Sequence, residues 1–191
     1  MGKILVETSA RHVHISKEHL AILAGEDYKL ESAAPLSQPG EFASTLRLTI
    51  VGPKRSIERV IVLGPERAKT QVEVSATDAR TLGINVPIRE SGKAEGSAPV
   101  KIIGPAGELE LEEGLIIAKR HVHMKEKHAE QYGVKDGDVV GVRVKTPHRS
   151  LVFEDVIVRV SDKYDLAMHI DTDEANAAGI SGETYGELVK L

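Results

Sequence analysis

The chain has 191 residues, with 25 Lys and Arg against 29 Asp and Glu, 8 His and no Cys; that length holds one large domain or two small ones. A net charge of −4 gives no general pull toward nucleic acid or an anionic membrane, and four Tyr, two Phe and no Trp leave no aromatic platform for stacking bases. The lack of Cys excludes disulfides, thiolate-held zinc, iron–sulfur clusters and a thiol nucleophile. No apolar run approaches the roughly 18 residues of a membrane helix. The opening MGKILVETSARHVH lacks the layout of a secretion signal, so a cytoplasmic protein is expected.

In chain order, β-branched or alternating apolar residues predict strands at 44–51, 57–63, 71–75, 100–103, 115–118, 139–144, 152–160 and 166–170. Turn signals separate several of them: Gly52-Pro53, Gly64-Pro65, Gly104-Pro105, Asp136-Gly137 and Thr146-Pro147. Helices are short. Ser16 is placed to cap 17–24 before Gly25, and 77–82 and 172–178 each end near a glycine. The polar run 89–98 reads as a loop. Many short strands with small capping helices predict a mainly β protein of two small β-barrels.

An internal repeat organises these elements. Arg11-His12-Val13-His14 returns as Arg120-His121-Val122-His123 at an offset of 109, each copy preceded by an apolar run, Ile4-Leu5-Val6 or Leu115-Ile116-Ile117. His19 and His128 match at the same offset. A weaker match, at an offset of 96, aligns Ala79, Gly83 and Ile84 with Ala175, Gly179 and Ile180, and places Glu73 on His169. The first copy is therefore 13 residues longer between its blocks, and the polar stretch from Gly25 to Glu41 is a candidate for the extra length.

Alternate residues of a strand share a face. His12 and His14 thus point together, as do His121 and His123, while Glu73 and His169 face away from their apolar neighbours. Each repeat offers three ligands on the non-core side: His12, His14 and Glu73 in the first, His121, His123 and His169 in the second. Five imidazoles and one carboxylate suit zinc or a similar first-row ion, and three protein ligands per ion leave positions open for reaction. His19 and His128 fall on the following helices, as surface or capping residues; His148 lies in a turn. Arg11 and Arg120 alternate away from the ligands, which leaves packing and anion binding both open. Arg67, six residues before Glu73, lies within strand reach of one rim of the site, where a guanidinium would grip phosphate.

Five blocks taken in order, Ser9-Ala10-Arg11-His12-Val13-His14, Leu36-Ser37-Gln38-Pro39-Gly40-Glu41-Phe42, Leu63-Gly64-Pro65-Glu66-Arg67, Gln71-Val72-Glu73-Val74-Ser75 and Arg120-His121-Val122-His123, resemble the PduL-type phosphate acyltransferases (phosphate propanoyltransferases) over about residues 3–190. The resemblance implies conversion of acyl-CoA plus phosphate to acyl phosphate plus CoA, with propanoyl or acetyl as the acyl group. It implies two β-barrels with exchanged strands, one from 11–24 and 46–118 with an excursion at 25–45, the other from 1–10 and 119–191. It implies a dinuclear site, normally zinc, with one ion on Glu73, His121 and His123 and the other on His12, His14 and His169. Arg67 matches the phosphate-contacting arginine, and Ser9, Leu63 and Asn176 match positions lining the CoA site. Two basic CoA contacts of the family appear here as Ala34 and Ile61. The resemblance further implies a homodimer, and the short lead before His12 leaves no room for an encapsulation extension.

Other readings use the same residues. A metal-dependent thioester hydrolase would place water where phosphate attacks. A cupin-like metalloenzyme would draw on His12, His14 and Glu18, but Glu18 falls in a helical pattern, Lys127 stands at the equivalent repeat position and no second histidine block follows. A non-catalytic metal- or CoA-binding module would not need open coordination positions.

Overall fold

The computed structural model describes residues 2–189. In chain order its elements are β1 (Ile4–Thr8), β2 (His12–His14), α1 (Lys17–Ala24), β3 (Ser32–Pro35), β4 (Phe42–Val51), β5 (Ser56–Gly64), β6 (Gln71–Glu73), α2 (Ala76–Leu82), β7 (Ile88–Arg89), β8 (Ala98–Ile103), β9 (Glu108–Ala118), β10 (His121–Met124), α3 (Glu126–Tyr132), β11 (Val139–Val144), β12 (Leu151–Val160), β13 (Ala167–Ile170), α4 (Thr172–Ala177) and β14 (Thr184–Val189). The chain forms two compact units. One comprises Ala10–Leu36 and Gly40–Ala118; the other takes the chain up to Ser9, Ser37–Pro39 and the chain from Lys119 on. The first is called here the central barrel and the second the terminal barrel, after the parts of the chain that build them.

In the central barrel, β4, β5, β2, β6, β9 and β8 pair in a ring that closes between β8 and β4. β3 adds to β4, and β7 runs parallel to β9. Alternation fills the interior with aliphatics such as Val13, Leu48, Ile50, Val62, Val72 and Ile102, all at or near zero exposure. Ser16 caps α1 by accepting from the backbone of His19. Ser75 and Asp78 form a reciprocal capping box at α2, which ends at left-handed Gly83. Two hairpin turns serve the ends of these helices: Lys54 N–H donates to Leu82 C=O and Ala106 N–H to Leu23 C=O, satisfying carbonyls that a helix terminus leaves unpaired.

In the terminal barrel, β1, β13, β10, β12, β11 and β14 form a second closed ring, packed around Ile4, Val122, Met124, Val142, Val158 and Met168. The mainly β, two-barrel class predicted from the strand pattern is the architecture found. So is the exchange of strands. β1 leads into β2 in the chain, yet runs parallel to β13 and antiparallel to β14. β9 leads into β10, yet runs parallel to β6 and antiparallel to β8. Each barrel is completed by the strand that precedes the other barrel's His-x-His segment.

The differences from the predicted elements are local. β9 begins at Glu108, not residue 115, because its first half alternates Glu108, Glu110 and Glu112 with Leu109 and Leu111 and leaves the glutamates exposed. β6 stops at Glu73 because Ser75 is already the α2 cap. β14 carries an exposed–buried alternation too short to stand out, with Gly186 set where a Cβ would lie 2.5 Å from Val142 Cγ1. Within the terminal barrel, Gln38 accepts from Asp165 N–H and donates to Asp165 C=O, and Ser37 donates to Glu7. Among the described residues no helix is long and apolar enough to cross a membrane.

Candidate metal centres

β2 is three residues long, and its alternation decides everything it presents. Val13 enters the core, so His12 and His14 project from the opposite face. β6 pairs antiparallel with β2 in the register His12 to Glu73, with Val72 opposite Val13, which delivers the Glu73 carboxylate to the same face. His12 Nε2 lies 3.1 Å from His14 Nε2. Glu73 Oε2 lies 3.5 Å from His12 Nε2, and Oε1 lies 3.7 Å from His14 Nε2. Ligands about 2.0–2.1 Å from a tetrahedral ion sit about 3.3 Å apart, and one donor atom from each of the three residues lies within 4.8 Å of the others, close enough to converge on one ion. All three are buried, at 4%, 4% and 7% exposure.

Protonation suits the same role. His12 Nδ1–H donates to Ala10 C=O at 2.8 Å, which leaves Nε2 as the lone-pair nitrogen. Burial chiefly pushes His14 down to about 2, with the neighbouring His12 ring and the Arg67 guanidinium acting the same way and Glu73 opposing them. Its imidazole is therefore neutral near pH 7 and able to ligate. Glu73 Oε1 accepts from Gln71 Nε2 at 2.7 Å and from Ser91 Oγ at 2.6 Å, while Gly92 N–H donates to Gln71 Oε1. Two donors thus hold one carboxylate oxygen, and Oε2 is the oxygen beside His12.

The terminal barrel repeats the arrangement with a different third ligand. β10 and β13 pair antiparallel with His121 opposite His169, and Val122 and Met168 enter the core. The ligand atoms of His121, His123 and His169 lie within 4.8 Å of one another, as do those of His12, His14 and Glu73. His121 Nδ1–H donates to Lys119 C=O at 2.9 Å, the counterpart of the His12 contact. The Tyr164 ring stacks on His123 with centroids 4.0 Å apart, and Glu7 Oε2 lies 3.7 Å from His169 Nδ1. The two groups are those that alternation predicts within each repeat; the exchanged allotment implied by the resemblance takes ligands from both.

Arg67 is half-buried, its Nη2 2.9 Å from Glu41 Oε1, and its charge acts on His14. Leu63 lies on β5 opposite His14, and Ile61 opposite His12; Ala34 is exposed on β3. Ser9 donates its N–H to Ile170 C=O, and Asn176 is exposed on α4. Arg11 and Arg120 are engaged in ion pairs with Asp78 and Glu174. His19 Nδ1 meets Thr70 Oγ1 at 2.8 Å, and His128 accepts from Lys125 N–H at the start of α3. His148 is exposed. Glu18 is exposed on α1 and outside both ligand groups, contrary to a cupin arrangement. Sequence reasoning overlooked Gln71, Ser91, Glu41, Glu7 and Tyr164. Gln71 had a signal, standing two residues from Glu73 on the same strand face; Ser91, in a polar loop, had none.

The chain is similar to known proteins over nearly its whole length. A family model described as phosphate propanoyltransferase matches residues 5–181. A phosphate propanoyltransferase of Thermotoga maritima is 54% identical over 188 residues, covering 98% of this chain and 88% of its own. One from Alkaliphilus metalliredigens is 50% identical over 188 residues, with 98% and 88% covered, and one from Clostridioides difficile 50% over 187, with 98% and 89% covered. With the match running through both barrels and both ligand groups, the chain belongs to the phosphate propanoyltransferase family.

Proposed function

We propose that the protein is a phosphate acyltransferase that interconverts a short-chain acyl-CoA, propanoyl-CoA or acetyl-CoA, and phosphate with acyl phosphate and CoA, at a site holding two divalent ions, most suitably zinc. The observation that carries the metal reading is the convergence, within 4.8 Å, of one donor atom each from His12, His14 and Glu73, matched by that of His121, His123 and His169. The ligands are His12, His14, Glu73, His121, His123 and His169. Ions held by these residues would supply Lewis acidity for polarising the thioester carbonyl and stabilising the departing thiolate.

Arg67 binds phosphate. One of its donors is held by Glu41, which fixes the plane of the guanidinium and leaves further N–H groups for phosphate oxygens. A phosphate oxygen attacks the carbonyl carbon, a tetrahedral intermediate forms, and the C–S bond breaks as CoA leaves with the electron pair. The chain has no Cys to carry an acyl-enzyme, which favours direct transfer. Ser9, Leu63 and Asn176 are proposed to line the CoA site.

CoA release from propanoyl-CoA and acetyl-CoA, with and without phosphate and a chelator, tests this reading. Release that needs phosphate and stops with chelator is expected; release without phosphate would instead make the protein a thioester hydrolase. Arg67→Ala is expected to raise the phosphate KM or cut kcat at least about 100-fold with normal metal content. His12→Ala/Glu73→Ala distinguishes the ligand allotments: one ion is retained where the two residues share an ion, and none where they serve different ones.

A further inference from the structure

Each barrel contains a second contact that repeats in register, outside the ligands themselves. Arg11 directly precedes His12, and its Nη1 donates to Asp78 Oδ1 at 2.5 Å. Arg120 directly precedes His121, and its Nε lies 2.7 Å from Glu174 Oε1. Asp78 and Glu174 each stand five residues after the third ligand, Glu73 or His169, and each is the third-residue (N3) member of the capping box of the helix that follows that ligand. Their carboxylates are divided in the same way. Asp78 Oδ2 accepts from the Ser75 N–H, and Glu174 Oε2 accepts from the Asp171 N–H, while the other oxygen takes the arginine. One carboxylate therefore ties a helix cap to the residue before a His-x-His segment.

The tie reaches the ligands through one peptide group. The carbonyls that accept from His12 Nδ1–H and His121 Nδ1–H belong to Ala10 and Lys119, the residues bonded to Arg11 and Arg120. Holding the arginine holds that carbonyl, and the carbonyl sets both the tautomer and the direction of the first imidazole. At the other end, the cap fixes the exit of the strand that bears the third ligand. Arg11 is about half exposed, so its ion pair adds little to stability.

We propose that Arg11–Asp78 and Arg120–Glu174 are matched clamps that position the first and third ligands of each repeat for metal binding. This rests on the metal reading above. Arg11, Asp78, Arg120 and Glu174 are positioning residues; none is a ligand.

The test is cobalt(II) binding to the full-length protein, with affinity from chelator competition and the ligand-field absorption of the bound ion recorded. Asp78→Asn and Glu174→Gln keep an acceptor for the helix cap and remove the ion pair, so folding is preserved. Each is expected to weaken cobalt binding at least about 10-fold and shift the absorption band. Arg11→Lys and Arg120→Lys are expected to recover part of the affinity lost in Arg11→Ala and Arg120→Ala. Lys101→Ala, which removes an ion pair with Glu108 that includes no member of either ligand group, is expected to leave binding unchanged. Cobalt affinity and spectrum equal to wild type in the Asn and Gln variants, with only the melting temperature lowered, would overturn the clamps and leave the metal reading intact. A wild-type protein that binds no divalent ion would overturn both.

Discussion

A buried carboxylate that ligates a cation has two oxygens and needs only one for the metal. At Glu73 the other is already spoken for: Gln71 and Ser91 both donate to Oε1, and Gly92 in turn holds Gln71. Partners of this kind typically change metal affinity or activity 10–100-fold when removed. Ser91→Ala is expected to lose metal affinity within that range while its unfolding midpoint moves little, because Ser91 is half-buried and its loss leaves the aliphatic core untouched. Ser91→Thr keeps the hydroxyl and is expected to restore binding; equal affinity in all three proteins would remove Ser91 from the ligand's support. The six candidate ligands were legible because strand alternation and a repeat point at them directly. Ser91 was not, because a loop reaches its contact through space, 18 residues from Glu73 in the chain, with no period to announce it. The arginines were half legible: their place before each His-x-His was plain, but an acid five residues beyond the third ligand becomes meaningful only once that strand is seen to end in a helix cap.

At the scale of elements, the short helices are held by turns as much as by their own caps. The β8–β9 turn presses on the end of α1, and the β4–β5 turn on the end of α2. Gly104 and Gly52 permit that approach, since a Cβ would come within 2.2 Å of Leu23 O in one case and 2.3 Å of Leu82 O in the other. Both clashes are with backbone, which cannot swing aside as a side chain would. Gly104→Ala is accordingly expected to cost about 1–3 kcal/mol, the usual range for overpacking, as a lower midpoint in urea. A midpoint unchanged from wild type would mean the turn yields freely. The sequence marked Gly52-Pro53 and Gly104-Pro105 as turns through their residue types. It could not say what each turn touches, because the helix it meets lies some 30 residues downstream for Gly52 and some 80 upstream for Gly104.

For the whole molecule the consequential feature is where β1 goes. Ile4-Leu5-Val6 reads as an apolar strand whichever barrel accepts it, so its assignment was implied by the resemblance and not by its own pattern. In the terminal barrel it pairs with β14 as Ile4 to Gly186 and with β13 as Leu5 to Ala167. Closing that barrel therefore joins the two ends of the chain, among the most distant contacts it makes and a slow step for folding. The antiparallel register also brings the end of β14 toward the start of β1, so a short linker can join them as a hairpin. A circular permutant that links residue 191 to residue 1 through a few glycines and begins at Ala10 makes each barrel a continuous stretch of chain apart from Ser37–Pro39. It is expected to fold, to bind metal as the parent does, and to refold faster. The fragment 119–191 is expected to stay unfolded alone, since it lacks Ile4 and Val6 from its core and leaves β13 and β14 with open edges. The same fragment extended by the linker and residues 1–9 should fold. If 119–191 folds without β1, or the extended fragment does not fold with it, the exchanged strand is not what closes this barrel.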